Sequence, residues 1–307
     1  MAAEYDVIVI GEGVAGLITA GELASAGLKV ATLEAQLFGG LIINVNELDP
    51  PPEGAESGEG NSGAEYASSL MQANADAGVG SLSEPVTRIE VVTDDIQRVV
   101  TESGSHTAKA IVVASGARLK KLSVPGEAEF EGKGVSQCAD CDGPMYQNET
   151  TVVVGGGDSA LQEAIVLAQY CNAVKIIHRG SAFSGHEYFI SAIDKQPKIS
   201  KIFDAEVTAI SGGQMVEKVN IKYSDGRTEE IPCAGVFAYV GLQPNVEFLP
   251  AVIKRDAEGF VLTNEQFETA MPGVWAVGAV RSGCGGELDD AIAEARKAAA
   301  EIRTRLA

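Results

Sequence analysis

Basic residues are scarce: 23 Lys and Arg stand against 43 Asp and Glu, for a net charge of -20. Nucleic acid and anionic membrane surfaces would repel such a chain, which leaves proteins and small molecules as its natural partners. No apolar run approaches the roughly 18 residues that a bilayer span needs. The opening Met1-Ala2-Ala3-Glu4-Tyr5-Asp6 also lacks the basic flank of a signal peptide, so a cytoplasmic location is expected. Cysteines number five (Cys138, Cys141, Cys171, Cys233, Cys284), too few and too scattered for a disulfide scaffold. Histidine is limited to His106, His178 and His186, so no metal site is expected.

Glycine and aliphatic residues are abundant instead. The chain has 35 glycines, 45% hydrophobic residues and 21% charged residues, the composition of a globular α/β protein with many tight strand-to-helix turns. Its 307 residues suit two domains, each with its own core.

Tyr5-Asp6-Val7-Ile8-Val9-Ile10 is a short β-branched run that leads into Gly11-Glu12-Gly13-Val14-Ala15-Gly16 and an alanine-rich amphipathic stretch to about Ser25. This pattern predicts strand, glycine turn and helix. Leu28 to Leu33 predicts the second strand, closed by Glu34, and the whole is a βαβ unit. Residues 49–63, dense in Pro, Gly and acid, predict a surface loop, with a partner or substrate lid as the sharper alternative. A helix over about 64–77 and strands over 85–93, 96–101 and 108–114 follow.

A second strand-turn-helix begins at Thr151-Val152-Val153-Val154 and passes through Gly155-Gly156-Gly157-Asp158-Ser159-Ala160 into a helical pattern from Leu161 to Tyr170. Ala173 to Arg179 closes this unit. Shorter strands are predicted near 202–210, 216–223 and 228–232, and Gly241 to Asn245 reads as a linker. Strands at Gly259–Thr263 and Gly273–Gly278 and a terminal helix from Asp289 to Leu306 complete the pattern. The last segment is expected to rejoin the first domain, making that domain discontinuous.

The chemistry is concentrated at three places. In the first turn, glycines let the backbone approach a pyrophosphate at a helix N-terminus, and Glu34 stands where a carboxylate accepts from ribose hydroxyls. In the second unit, His178 and Arg179 occupy the position of that acid. A cation there suits the 2′-phosphate of NADP, the plainer reading being a packed strand-end histidine beside a solvated arginine. The pair Cys138-Ala139-Asp140-Cys141 has a metal reading and a redox reading. A lone CxxC supplies two of the four ligands that a closed zinc site requires. Its spacing suits a reversible disulfide better, with Asp142 placed to shuttle the proton. Cys171 and Cys233 read as core residues. Cys284, in the glycine-rich Arg281–Gly286 stretch, reads as a loop thiol with a reactive role as the alternative.

In order along the chain, the first glycine motif, Ser115-Gly116-Ala117, Val124-Pro125-Gly126-Glu127, the Cys138-Ala139-Asp140-Cys141-Asp142-Gly143 box and Gly155-Gly156-Gly157-Asp158-Ser159-Ala160 resemble the low-molecular-weight thioredoxin reductases, over nearly the whole length. These are FAD-dependent pyridine nucleotide-disulfide oxidoreductases, and the chain is similar to an atypical member. The resemblance implies an α/β fold of two Rossmann-like three-layer nucleotide-binding domains, the first discontinuous. Residues 1–117 and 246–307 would form the FAD-binding domain, and 118–245 a pyridine-nucleotide-type domain carrying the redox disulfide. FAD would be held by Gly11, Gly13, Gly16, Glu34, Gly39, Gly40, Gly116, Gly278, Ala279 and Ala291. NADP(H) would lie at Gly155, Gly157, Asp158, Ser159, His178 and Arg179. By the same resemblance Cys141 faces the flavin, Cys138 attacks the substrate disulfide, Asp142 is the general acid, and the chain is a homodimer that acts on a thioredoxin-like protein or a small-molecule disulfide or dithiol.

Three positions depart from the family pattern. The family's His-Arg-Arg with a further Arg downstream is here His178-Arg179-Gly180 with Ser184 and Gly185. Each lost charge-assisted bond to a 2′-phosphate is worth roughly 1.5–3 kcal/mol, so NADPH use is expected to be weakened. The family's Gly-Asp pair is Gly278-Ala279, which predicts looser flavin binding. Its Arg-Gln-Ala is Asp289-Asp290-Ala291, and acids near a flavin are expected to lower its potential. The expected function is a flavin-dependent disulfide oxidoreductase passing electrons between flavin and the Cys138/Cys141 pair. The alternatives are a reductase fed by another donor such as a ferredoxin, a small-molecule dithiol oxidase, and a non-catalytic flavin-binding redox sensor.

Overall fold

The computed structural model describes residues 3–45, 48, 52 and 62–307, so the loop expected over 49–63 lies almost wholly outside the described residues. The chain divides into two compact units, residues 1–118 with 243–307, and residues 119–242.

Unit 1 begins with β1 (Tyr5–Ile10), α1 (Val14–Ser25) and β2 (Val30–Leu33). Helix α2 (Gly63–Asp76) starts at a capping box in which Ser62 accepts from the Glu65 amide and the Glu65 carboxylate accepts from the Ser62 amide. Strands β3 (Gly80–Leu82), β4 (Val86–Thr93), β5 (Ile96–Thr101) and β6 (Ser105–Val113) follow. The chain leaves through β7 (Ala117–Leu119).

Unit 2 contains β8 (Val135–Ser136), the one-turn helix α3 (Ala139–Asp142), β9 (Thr150–Val154), α4 (Asp158–Tyr170), β10 (Ala173–Ile177), α5 (Glu187–Lys195) and β11 (Ile199–Ile202). After these come the antiparallel strands β12 (Ala205–Gly212), β13 (Val216–Tyr223) and β14 (Thr228–Pro232), then β15 (Gly235–Ala238). The return passes through β16 (Leu242–Pro244), which pairs with β7, where the sequence predicts a plain linker. Strand β17 (Val274–Ala276) and helix α6 (Leu288–Leu306) then complete unit 1.

The unit 1 sheet runs β3-β2-β1-β6-β5-β4, with β17 also on β6. Strand β6 is long enough to serve two partners along one edge: Ser105–Ala108 pairs antiparallel with β5, and Ile111–Val113 pairs parallel with β17. Both faces are covered. Val7 and Val9 point into a core with α1 and α6, while Ile8 and Ile10 point into a second core with Val246, Leu249 and Ile253. Alternate residues therefore bury on opposite faces, which is why β1 reads as an unbroken apolar run.

Unit 2 repeats the scheme with a parallel sheet, β11-β10-β9-β15-β8. Val153 and Ile176 pack beneath α4, whereas Val152, Val154 and Ile177 face the three-stranded β12-β13-β14 sheet. Helix α5 has no counterpart in the sequence reading. Gly259–Thr263, expected as a strand, is a loop. Val261 makes only isolated bridges to Arg255 and Arg281, and the Asp256 carboxylate bends the chain by accepting from the Glu258 and Phe260 amides. Among the described residues, no helix is long and apolar enough to cross a membrane.

Candidate active site

The first glycine turn is built by close approach. Gly11 has φ +108°, and a Cβ there would run into the Ala114 carbonyl, so only glycine allows the end of β1 to pass this near the end of β6. Gly13 caps α1, and a Cβ on it would meet nothing nearer than the Gly39 oxygen at 3.9 Å. Gly16 lies buried in the first turn of α1. The Gly39 amide donates to the Glu12 carbonyl at 2.6 Å, which lays Gly39 and the 3-10 turn Gly40–Asn44 beside Gly13. Glu34, at the end of β2, accepts from the Glu12 amide (2.8 Å) with one oxygen and from the Ala35 and Gln36 amides (2.8 and 3.0 Å) with the other. Glu12 itself is 3% exposed, and its carboxylate accepts from the Thr32 and Ser81 hydroxyls at 2.5 and 2.6 Å. The sequence reading gave this side chain no role.

The remaining unit 1 residues lie after β6, after β17 and in the first turn of α6. The Gly116 carbonyl accepts from the Asn245 amide (3.0 Å), and Ser115 and Asn245 exchange two further bonds of 2.7 and 2.9 Å. Gly278 and Ala279 form a 3-10 turn directly after β17. The Gly278 amide donates to the buried Glu294 carboxylate at 2.9 Å, and Glu294 also pairs with Arg281. Arg281 is stacked over Phe267 at 5.2 Å. Glu294 and Arg281 were not singled out by the sequence reading. Ala291 sits half-buried in the first turn of α6, behind the exposed Asp289 and Asp290, which complement the positive end of the helix. Burial raises the Cys284 thiol above its ordinary value, which argues for an inert group.

In unit 2, Cys138 and Cys141 form a disulfide, with Cα atoms 5.3 Å apart. Cys138 caps α3, and its Sγ accepts from the Cys141 amide at 3.2 Å. That amide favours negative charge on Cys138 when the bond opens. Cys141 is exposed and Cys138 half-buried. Asp142, also half-buried, ends α3 one residue after Cys141, its amide donating to the Cys138 carbonyl at 3.1 Å. Ala139, fully buried between the two cysteines, donates its amide to Glu163 on α4 at 2.8 Å. The same Glu163 oxygen accepts from the Tyr239 hydroxyl at 3.0 Å. Burial pushes the Glu163 carboxyl above the ordinary glutamate range. Burial likewise raises Cys171, and pushes Cys233 up to about 12, so neither is a reactive thiol.

The second glycine turn differs in what closes it. Gly155 has φ +147°, and a Cβ on it would reach Ala160 at 2.8 Å. A Cβ on Gly156 would strike the His178 ring, which packs with Phe183 and Phe203. Burial lowers the His178 pKa, favouring the neutral ring. The Gly156 carbonyl accepts from the Ser184 and Gly185 amides at 2.8 and 3.2 Å. Gly157 caps α4 with open space where a Cβ would stand, and Asp158 and Ser159 begin the helix. The Asp158 carboxylate accepts from the His186 amide at 2.6 Å, and Arg179 is exposed. Among the described residues, no group of His, Cys, Asp and Glu is arranged to hold a metal ion.

Two Rossmann-like units, one carrying both a CxxC disulfide and a glycine turn, define the class, and comparison with known proteins agrees. Residues 5–301 match the family model "Pyridine nucleotide-disulphide oxidoreductase", and the chain belongs to that family. Within it, the chain is 34% identical over 283 residues to the thioredoxin reductase of Treponema pallidum (92% of this chain, 91% of that one). It is 35% identical over 281 residues to that of Listeria innocua (91% and 86%). Among solved structures, Lactococcus lactis thioredoxin reductase superposes with a TM-score of 0.92 at 33% identity, covering 99% of both chains. The T. acidophilum enzyme gives 0.89 at 30% identity, covering 98% of both. The chain is thus a flavin-dependent disulfide oxidoreductase of the thioredoxin-reductase-like kind.

Proposed function

We propose that this protein moves two electrons between bound FAD and the Cys138–Cys141 disulfide in unit 2, and from there to a thioredoxin-like protein or a small-molecule disulfide. The observation that carries the reading is the disulfide itself, whose Cys138 sulfur already accepts from the Cys141 amide. FAD fits unit 1. Gly11 and Gly16 allow the tight turn and the close packing of α1 on it, Gly13 leaves the backbone open to the pyrophosphate, Gly39 and Gly40 flank it, and Glu34 supplies the carboxylate for ribose hydroxyls. Gly116, Gly278, Ala279 and Ala291 line the remainder of the site, with Ala279 supplying no carboxylate. When bound, FAD supplies the two-electron relay that reduces the disulfide.

The chain's own steps then balance without a further reagent. The Cys138 thiolate attacks the substrate disulfide, so that one S–S bond forms as another breaks. The departing substrate sulfur takes a proton delivered by Asp142. Asp142 next takes the Cys141 proton, the Cys141 thiolate attacks Cys138 in the mixed disulfide to restore the internal bond, and the second substrate sulfur leaves as a thiol with that proton. The substrate disulfide is reduced and the dithiol oxidised, by two electrons each.

For the electron donor, the Gly155–Gly157 turn with Asp158 and Ser159 suits a dinucleotide pyrophosphate, with His178 and Arg179 at its ribose end. A specific observation favours a second donor: Gly180 and Ser184 bring no cation to a 2′-phosphate, and the neutral ring of His178 adds none. Homodimerisation and a cytoplasmic setting belong to the same reading, the former checked by sedimentation. The deciding experiment is anaerobic addition of NADPH, NADH and dithiothreitol in turn to the flavin-loaded protein. Bleaching of flavin absorbance by NADPH supports the ordinary reductase. Bleaching by dithiothreitol alone moves the donor elsewhere, and no coupling of dithiol to flavin under any reductant sinks the function.

A further inference from the structure

Two side chains hold the dithiol box: the Ser136 hydroxyl accepts from the Cys138 amide at 3.1 Å, and Glu163 holds the residue between the cysteines. Glu163 reaches from α4 so that a single carboxylate oxygen accepts both the amide of Ala139, which lies between the two cysteines, and the hydroxyl of Tyr239. All the groups concerned lie in unit 2. Ala139 is fully buried and Tyr239 is 8% exposed, so neither donor has water as an alternative partner. The carboxylate is half-buried, and among the described residues its hydrogen-bond donors are the Ala139 amide and the Tyr239 hydroxyl, with the like charge of Asp140 also acting on it.

We propose that Glu163 is a positioning residue of the Cys138–Cys141 pair and that its charge sets how readily that disulfide is reduced. The inference rests on the reading of these cysteines as the working redox group. Opening the disulfide places negative charge on Cys138, the residue next to the Glu163-bound amide, and a half-buried carboxylate bonded to that amide opposes the charge. Glu163 therefore biases the pair toward the disulfide and makes the dithiol the stronger reductant. Because the two donors converge on one oxygen, a glutamine amide oxygen can accept both. Glu163→Gln thus removes the charge and leaves the hydrogen bonds.

The test equilibrates full-length wild type, Glu163→Gln and Tyr239→Phe in graded dithiothreitol buffers and counts free thiols by alkylation and mass spectrometry. Glu163→Gln is expected to shift the dithiol-to-disulfide equilibrium about tenfold toward the dithiol, equivalent to about 30 mV for a two-electron couple. Tyr239→Phe, which keeps the charge, is expected to shift it less. A Glu163→Gln protein that folds as wild type and titrates with it overturns the inference, and so does a Tyr239→Phe shift as large as that of Glu163→Gln. Wild type that never interconverts dithiol and disulfide would instead overturn the functional reading, so the two failures are distinguishable.

Discussion

The two glycine turns of this chain are alike in backbone and unlike in what surrounds them. In each, an aliphatic strand ends at a glycine with positive φ, and a second glycine caps the following helix. At the first turn a carboxylate, Glu34, gathers three backbone amides. At the second an imidazole, His178, packs against Gly156, and a returning segment donates the Ser184 and Gly185 amides to its carbonyl. One local design thus carries two different groups, a carboxylate and an imidazole, at the end of the second strand of its βαβ unit. It also means that a glycine motif locates a site without naming its ligand.

The contrast can be broken at several points. The largest effect belongs to Cys138→Ser, which should lower disulfide turnover roughly a thousandfold or more while flavin content stays at the wild-type level. Parallel loss of flavin, read from the absorbance ratio of purified protein, would show that the two units are not chemically separable. Next is Gly11→Ala. It forces a side chain into the Ala114 carbonyl at φ +108° and should cost about 2–4 kcal/mol in stability, with loss of flavin. Gly157→Ala meets open space and should cost under about 1 kcal/mol. Equal melting shifts for the two variants would contradict the different packing described for the two turns.

A smaller change tests the second turn's missing cations. Ser184 is exposed, and Ser184→Arg should lower the KM for NADPH about tenfold without helping NADH. An equal gain for both nucleotides would remove the 2′-phosphate from the explanation. The smallest effect concerns pH. Burial raises the Glu163 carboxyl, so its titration moves to higher pH on folding. The associated stability is present below the ordinary glutamate value and is lost as pH rises through the raised folded value. The Glu163→Gln variant lacks this loss, so its melting temperature relative to wild type should climb across that interval. A difference that stays flat with pH would count against a perturbed Glu163.

What was legible in the sequence is what sequence neighbours determine. β1 and β9 are runs of β-branched residues ending at glycine, and both faces of each strand are buried, so period and composition announce them. The disulfide was legible because two intervening residues bring the cysteines onto a single turn. Gly259–Thr263 misled because its aliphatic residues resemble a strand, while the Asx turn at Asp256 prevents a ladder. The polar contacts around the site were not legible. Glu163 lies 24 residues from Ala139 and 76 from Tyr239, and Glu294 lies 16 from Gly278. No local pattern links such groups, which meet only because helices pack over strands.

The pairing of β17 with the far half of β6 also bears on how the chain is made. About 160 residues, the whole of unit 2 among them, separate Val113 from Val274. At a synthesis rate of about 5–20 residues per second, roughly 10–30 s pass before the nascent chain can complete its first sheet. Throughout that interval the α1 surface later covered by α6 stays open, while unit 2, a contiguous segment, has already been made in full. The unit that begins first is therefore finished last, with an apolar face that waits for its cover.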